Sequence, residues 1–147
     1  MKKLKIEGIE NNLPKIRNFV EKCLNSYNIE KDTAEDVIIS SDEVCANIIR
    51  HNYKNRKNKY IDIEITKVDN NIIVDIIDEG TKFNLLKHKK MKSDKNLRDI
   101  KNNGLGLFIL KKLIDKVEYR YIKGRGNHIR LIKSSISNPN LSSKSLK

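Results

Sequence analysis

Tryptophan is absent from this chain, and aromatic residues of all kinds make up only 5% of it. No strand-like stretch interleaves those few aromatics with Arg, so the stacking platform of a nucleic-acid binder is missing. Cysteine is scarce as well. Cys23 and Cys45 are the only two. Both sit in helical, partly apolar contexts, and they read as small core residues in a reducing compartment, not as a disulfide or metal framework. No run of about eighteen apolar residues occurs, so no membrane-spanning helix is expected. The opening Met-Lys-Lys-Leu-Lys-Ile-Glu lacks the apolar stretch of a secretory signal. These absences place the protein in the cytoplasm.

What is abundant is Lys, together with Asn and Ile. The net charge is +12, from 31 Lys and Arg against 19 Asp and Glu. Such a balance favours anionic partners, but the basic residues are spread along the chain and the composition is that of an AT-biased genome. Direct nucleic-acid binding is therefore not expected. With 147 residues the chain can build one domain with a real core.

Periodicity orders the elements. Lys3 to Glu7 alternates apolar and charged residues as a first strand. Asn11-Asn12-Leu13-Pro14 opens a helix with Pro in its first turn, and Ile16, Phe19, Val20, Cys23 and Leu24 give it an apolar stripe. Asp32 or Thr33 is the expected cap of a second helix running to about Tyr53. Tyr60 to Lys67 alternates, with Ile61, Ile63 and Ile65 on one face. A turn at 68–71 leads to a strand over 72–77, a strong hairpin signal. Residues 82–103 are polar and basic with little periodicity and read as a long loop. Gly104-Leu105-Gly106 starts a third helix to about Asp115, and strands over 117–123 and 127–133 close the domain. The expected fold class is α+β: a two-layer sandwich whose mainly antiparallel sheet is covered on one face by helices. It fills residues 1–133, with a polar tail over 134–147 that reads as disordered.

Three segments carry candidate chemistry. Glu43, Asn47 and His51 are spaced four apart, so a regular helix stacks a carboxylate, a carboxamide and an imidazole on one face. Val37, Ile38, Val44, Cys45, Ile48 and Ile49 fall on the other side, leaving the polar row free of core duty. Asp78-Glu79-Gly80 puts a carboxylate where a strand ends and lets the chain pass close to a ligand. Asn103-Gly104-Leu105-Gly106 opens a helix whose N–H groups can face an anion. Each segment alone also has a plain reading, as a solvated helix face, a turn or a helix start. Their order and spacing make the combination specific.

In these boxes the sequence resembles the GHKL, or Bergerat-fold, histidine-kinase-like ATP-binding domains. Within them it most resembles the RsbW-like anti-sigma-factor serine/threonine kinases. The matching stretches are 41–51, 75–83 and 104–109, with further likeness at 115–119 and 126–131. The resemblance implies ATP and Mg2+ as ligands. It makes Asn47 the magnesium ligand, and Glu43 the general base toward a Ser or Thr hydroxyl. Asp78 becomes the acceptor of the adenine amino group, and Gly80 the glycine that lets adenine approach. Gly104 and Gly106 fall on the phosphate side, at the foot of a lid over 84–103. Arg50, Phe83, Leu105 and Leu107 complete the implied nucleotide-facing set, and Arg17 becomes a partner-facing residue. The implied partners are a STAS-domain anti-sigma-factor antagonist and a sigma factor, with the protein itself a homodimer. The same boxes also serve a non-catalytic ATP-binding module that sequesters a partner.

The departures are specific. Lys82 stands where many of these domains have a second glycine; the RsbW-like group often lacks that glycine too, which favours this subgroup. Asn127 sits near a position that is Thr in other members. His51 is expected in a structural role, not as a phosphoacceptor. No phosphoacceptor-histidine domain is read before the ATP box, which argues against a self-contained sensor histidine kinase.

Overall fold

The computed structural model describes residues 1–84 and 105–135, including all side chains except those of 105–107. Gly104, all but the first residue of the expected 84–103 lid, and the tail after 135 lie outside the described residues.

Among the described residues five strands form one antiparallel sheet: β1 (Lys2–Glu7), β2 (Tyr60–Val68), β3 (Asn71–Asp78), β4 (Lys116–Ile122) and β5 (Gly126–Ser134), in the order β1-β2-β3-β5-β4. The helices are α1 (Leu13–Ser26), α2 (Lys31–Asn47) and α3 (Leu105–Leu113). The expected α+β sandwich is the observed fold. Period-two alternation explains why one face is dry. Ile61, Ile63 and Ile65 of β2, Ile72, Val74 and Ile76 of β3, and Ile129 and Leu131 of β5 are all buried. Each fully buried Ile contributes roughly 1.5–3 kcal/mol of transfer free energy. The helices meet this face with Ile16, Val20 and Leu24 of α1, Val37, Val44 and Cys45 of α2, and Leu110 of α3. Both cysteines are free and buried, as core residues should be.

Among the described residues, the opposite sheet face mixes polar positions such as Asp62, Glu64, Asp75, His128 and Arg130 with Ile73, Ile77 and Ile132. Asp75 lies there, its side chain only 8% exposed. Arg130 holds it through two bonds, Nε to Oδ1 at 2.7 Å and Nη2 to Oδ2 at 3.1 Å, and His128 Nε2 lies 2.7 Å from Oδ1. Burial alone would push the Asp75 carboxyl up, but the hydrogen bonds from Arg130 and His128 outweigh it and hold the pKa below the ordinary value.

Several boundaries differ from the sequence expectation. The cap of α2 is Glu30, not Asp32 or Thr33, and it makes no side-chain capping bond. Asp32 instead occupies the first turn, where a carboxylate suits the helix dipole. β3 starts at Asn71 and runs through Asp78. β5 continues to Ser134 because Ser135 N reaches Asn70 O at 2.6 Å, prolonging the pairing beyond the expected end. The largest change is at the end of α2. The helix does continue toward Tyr53, but residues Ile48–Asn52 form a π-helical turn, closed by Tyr53 N donating to Ile48 O at 2.7 Å.

Candidate nucleotide site

The core rows of two strands end in polar side chains. On β3 the buried row Ile72, Val74, Ile76 ends in Asp78, which is 3% exposed. On β5 the row Leu131, Ile129 ends in Asn127, 2% exposed. A carboxylate in an apolar row is costly unless hydrogen-bonded, and here it is. Asp78 Oδ1 accepts Gly80 N at 2.7 Å, Asn127 Nδ2 at 2.9 Å and Asn52 Nδ2 at 3.3 Å. With three donors on Oδ1, Oδ2 keeps capacity for a further donor. Burial pushes the Asp78 carboxyl above its ordinary pKa, while hydrogen bonds from Asn127, Gly80 and Asn52 pull it back.

Asp78 faces a narrow cleft between α2 and the sheet. The cleft is lined by Val44, Asn47, Ile48, Asn52, Asp78, Phe83, Asn127 and Ile129, and its open cavity is only about 20 Å3. Its floor is apolar and its polar groups converge from both layers, the usual make-up of a small-molecule site.

The structure thus brings together three of the residues singled out from sequence: Asn47, Asp78 and Phe83. Gly80 belongs with them. A Cβ there would lie 2.2 Å from Asn52 Nδ2, so only glycine lets Asn52 reach Asp78. Glu43 sits one turn before Asn47 on α2 and is half-buried. Its pKa is raised, first by burial and then by the neighbouring Asp42 charge, with Arg50 opposing. Leu105, Gly106 and Leu107 lie in the first turn of α3. Arg50 is exposed; its Nε donates to Glu10 Oε1 at 2.6 Å, and its charge also acts on Glu43. Arg17 of α1 is 44% exposed and lies 3.6 Å from Asp42 Oδ1.

His51 does not join the row with Glu43 and Asn47. It is exposed, because the π turn takes in an extra residue after Ile48 and so turns less per residue. The same turn brings Asn52 round to Asp78. Asn52 is therefore a cleft residue that the sequence reading missed, and Asn127 entered that reading only as a departure from Thr. Asn127 left a signal, a polar residue at core parity on an apolar strand. Asn52 left none, since a π turn has no local sequence mark.

Comparison with known proteins identifies the family and the fold. Residues 8–133 match the model of the histidine kinase-like ATPase domain. A serine-protein kinase RsbW of Halalkalibacterium halodurans is 28% identical over 113 residues, 74% of this chain and 68% of that protein. The RsbW of Bacillus mycoides is 29% identical over 131 residues, 82% of this chain and 81% of that protein. A crystal structure of RsbU and RsbW domains from Mycobacterium tuberculosis superposes with a TM-score of 0.64 at 16% identity, covering 91% of this chain and 32% of that one. A histidine kinase domain from Erythrobacter litoralis shares the fold at a TM-score of 0.50 and 14% identity, over 89% of this chain and 63% of that chain. The chain belongs to the histidine kinase-like ATPase domain family, the GHKL class, with curated relatives among the RsbW serine-protein kinases.

Proposed function

We propose that this protein is an anti-sigma factor and an ATP-dependent serine/threonine kinase that phosphorylates a STAS-type antagonist. The observation that carries the reading is the buried Asp78, tied through Oδ1 and facing a cleft shared with Asn47, with half-buried Glu43 one helical turn away. Asp78 would accept the 6-amino group of adenine. Glu43, made more basic by burial and by Asp42, would take the proton of a Ser or Thr hydroxyl. The hydroxyl oxygen then bonds to the γ-phosphorus, the bond to the β,γ-bridging oxygen breaks, and ADP leaves.

The residues present fit Mg2+. Asn47 offers a carboxamide oxygen that bonds no described residue and lines the cleft. One protein oxygen completed by water and substrate phosphates is how magnesium is commonly held. When bound, the ion would neutralise charge on the phosphates. No described group of three or more His, Cys, Asp and Glu could hold a metal by itself.

The reading extends to partners and place. Arg17, exposed on α1, would contact the antagonist or the sigma factor, and the protein would work in the cytoplasm as a homodimer. Among the described residues no helix is long and apolar enough to cross a membrane.

The test is phosphotransfer from γ-labelled ATP with Mg2+ to STAS-domain proteins of the same organism. The expected result is a labelled STAS band, lost in Glu43→Ala while ATP binding persists. Full transfer by Glu43→Ala would refute the role of Glu43. ATP bound without transfer to any STAS protein would instead favour the non-catalytic, partner-sequestering module.

A further inference from the structure

Asn127 uses its whole hydrogen-bonding capacity. Its Oδ1 accepts Phe83 N at 2.9 Å and the Tyr119 hydroxyl at 2.6 Å. Its Nδ2 donates to Asp78 Oδ1 at 2.9 Å and to Thr81 O at 2.8 Å. The assignment of oxygen and nitrogen follows from the partners. Phe83 N, which can only donate, faces one end of the carboxamide beside the Tyr119 hydroxyl, a carboxylate and a carbonyl face the other, and a flipped amide would lose the bonds to Phe83, Asp78 and Thr81. The side chain pairs with Thr81 O and Phe83 N as a neighbouring strand would, giving the segment after Asp78 a β-like partner. Tyr119, half-buried on β4 beside the core, fixes the carboxamide from behind.

With all four bonds committed, Asn127 has nothing left to offer a ligand directly. Its effect passes through Asp78 and through the 81–83 segment that carries Phe83 into the cleft. A threonine, with one hydroxyl, could not make these four bonds. We infer that Asn127, oriented by Tyr119, is a positioning residue for base selection: it pins one oxygen of Asp78 so that the other is presented to a purine bearing a 6-amino group. This rests on the nucleotide site proposed above and adds to it the residues that set its preference for a 6-amino over a 6-oxo purine. A 6-oxo group presents an acceptor to the carboxylate, and two acceptors repel.

The experiment measures dissociation constants of ATP and ITP, by calorimetry with Mg2+, for the full chain and for Asn127→Ala and Tyr119→Phe. Losing an anchored hydrogen bond to a carboxylate should lower ATP affinity about tenfold or more. ITP, which never made that bond, should change little. The expected result is an ITP-to-ATP ratio of dissociation constants that collapses about tenfold in Asn127→Ala and falls a few-fold in Tyr119→Phe. A purely structural role would weaken both nucleotides alike and leave the ratio unchanged, and that result overturns the inference while leaving the nucleotide site intact. If Asn127→Ala fails to melt cooperatively, Tyr119→Phe carries the test, because it removes only a hydroxyl. Wild-type protein that binds neither nucleotide would overturn the site itself, and the inference with it.

Discussion

Two glycines in the β4–β5 turn offer a controlled test of how tightly the sheet end holds Asp78. Gly124 and Gly126 both have positive φ, +86° and +135°. A side chain at either is strained by roughly 1–3 kcal/mol. Their surroundings differ completely. A Cβ on Gly124 would meet nothing within 4 Å, whereas one on Gly126 would lie 1.8 Å from Asp78 O and 2.8 Å from Asp78 C. Those atoms are backbone, so relief needs β5 to move off β3 by an ångström or more. Overpacking of that kind costs a further ~1–3 kcal/mol, occasionally more. Gly124→Ala should therefore destabilise by about 1–2 kcal/mol, and Gly126→Ala by about 3–5 kcal/mol. Urea unfolding followed by circular dichroism would resolve the difference. Nucleotide affinity should follow the same split, retained in Gly124→Ala and lost in folded Gly126→Ala, because the shift displaces Asp78. Equal destabilisation of the two variants would refute the steric argument and leave only backbone strain.

Other outcomes follow from the charged groups. Asp75 has a folded pKa below its unfolded value, so its contribution is present above the ordinary Asp pKa and is lost as pH falls through the lowered one. Asp75→Asn should cost about 2 kcal/mol near pH 7, discounted for the 40% exposed Arg130; pH-dependent melting should show that cost shrinking in acid. Asp78 has the opposite sign: its raised pKa means its contribution to stability is fully present below the ordinary Asp pKa and is lost as pH rises through the raised one. ATP affinity, which needs the carboxylate, should run the other way and fall on acidification with a midpoint above the ordinary Asp range, and titration calorimetry at several pH values would detect it. Arg17→Ala should change stability by no more than about 0.5 kcal/mol, since the Asp42 pair is long and exposed. It should leave ATP binding unchanged while weakening capture of a STAS protein in a pull-down; unchanged capture would remove Arg17 from the partner surface.

Much of this architecture was legible in the chain because it follows from local rules. The alternation of Ile61, Ile63 and Ile65 decides which face of β2 is dry. The stripe of Ile16, Val20, Cys23 and Leu24 decides which face of α1 meets it. Asp78 and Gly80 stood out only in combination with the other two boxes, since a strand ending in a carboxylate and a glycine reads alone as a turn; in the fold Asp78 is buried and Gly80 leaves the space Asn52 needs. Arg50 shows the limit. Its place in the first box was visible, whereas the partner of its Nε, Glu10, 40 residues away in the chain, was not.

By itself the sequence determined the element order, the dry and polar faces, and the three boxes that mark the family, because periods of 2 and 3.6 residues are written into neighbouring positions. Only the tertiary structure decided which polar side chains meet. The π turn after Asn47 sends His51 to solvent and Asn52 to Asp78. The β3–β5 register sets Asn127 beside a carboxylate 49 residues earlier in the chain. The alternating pattern sets the parity of each strand, but which strand lies beside β3 and where a helix takes in an extra residue are decided by packing the layers on one another.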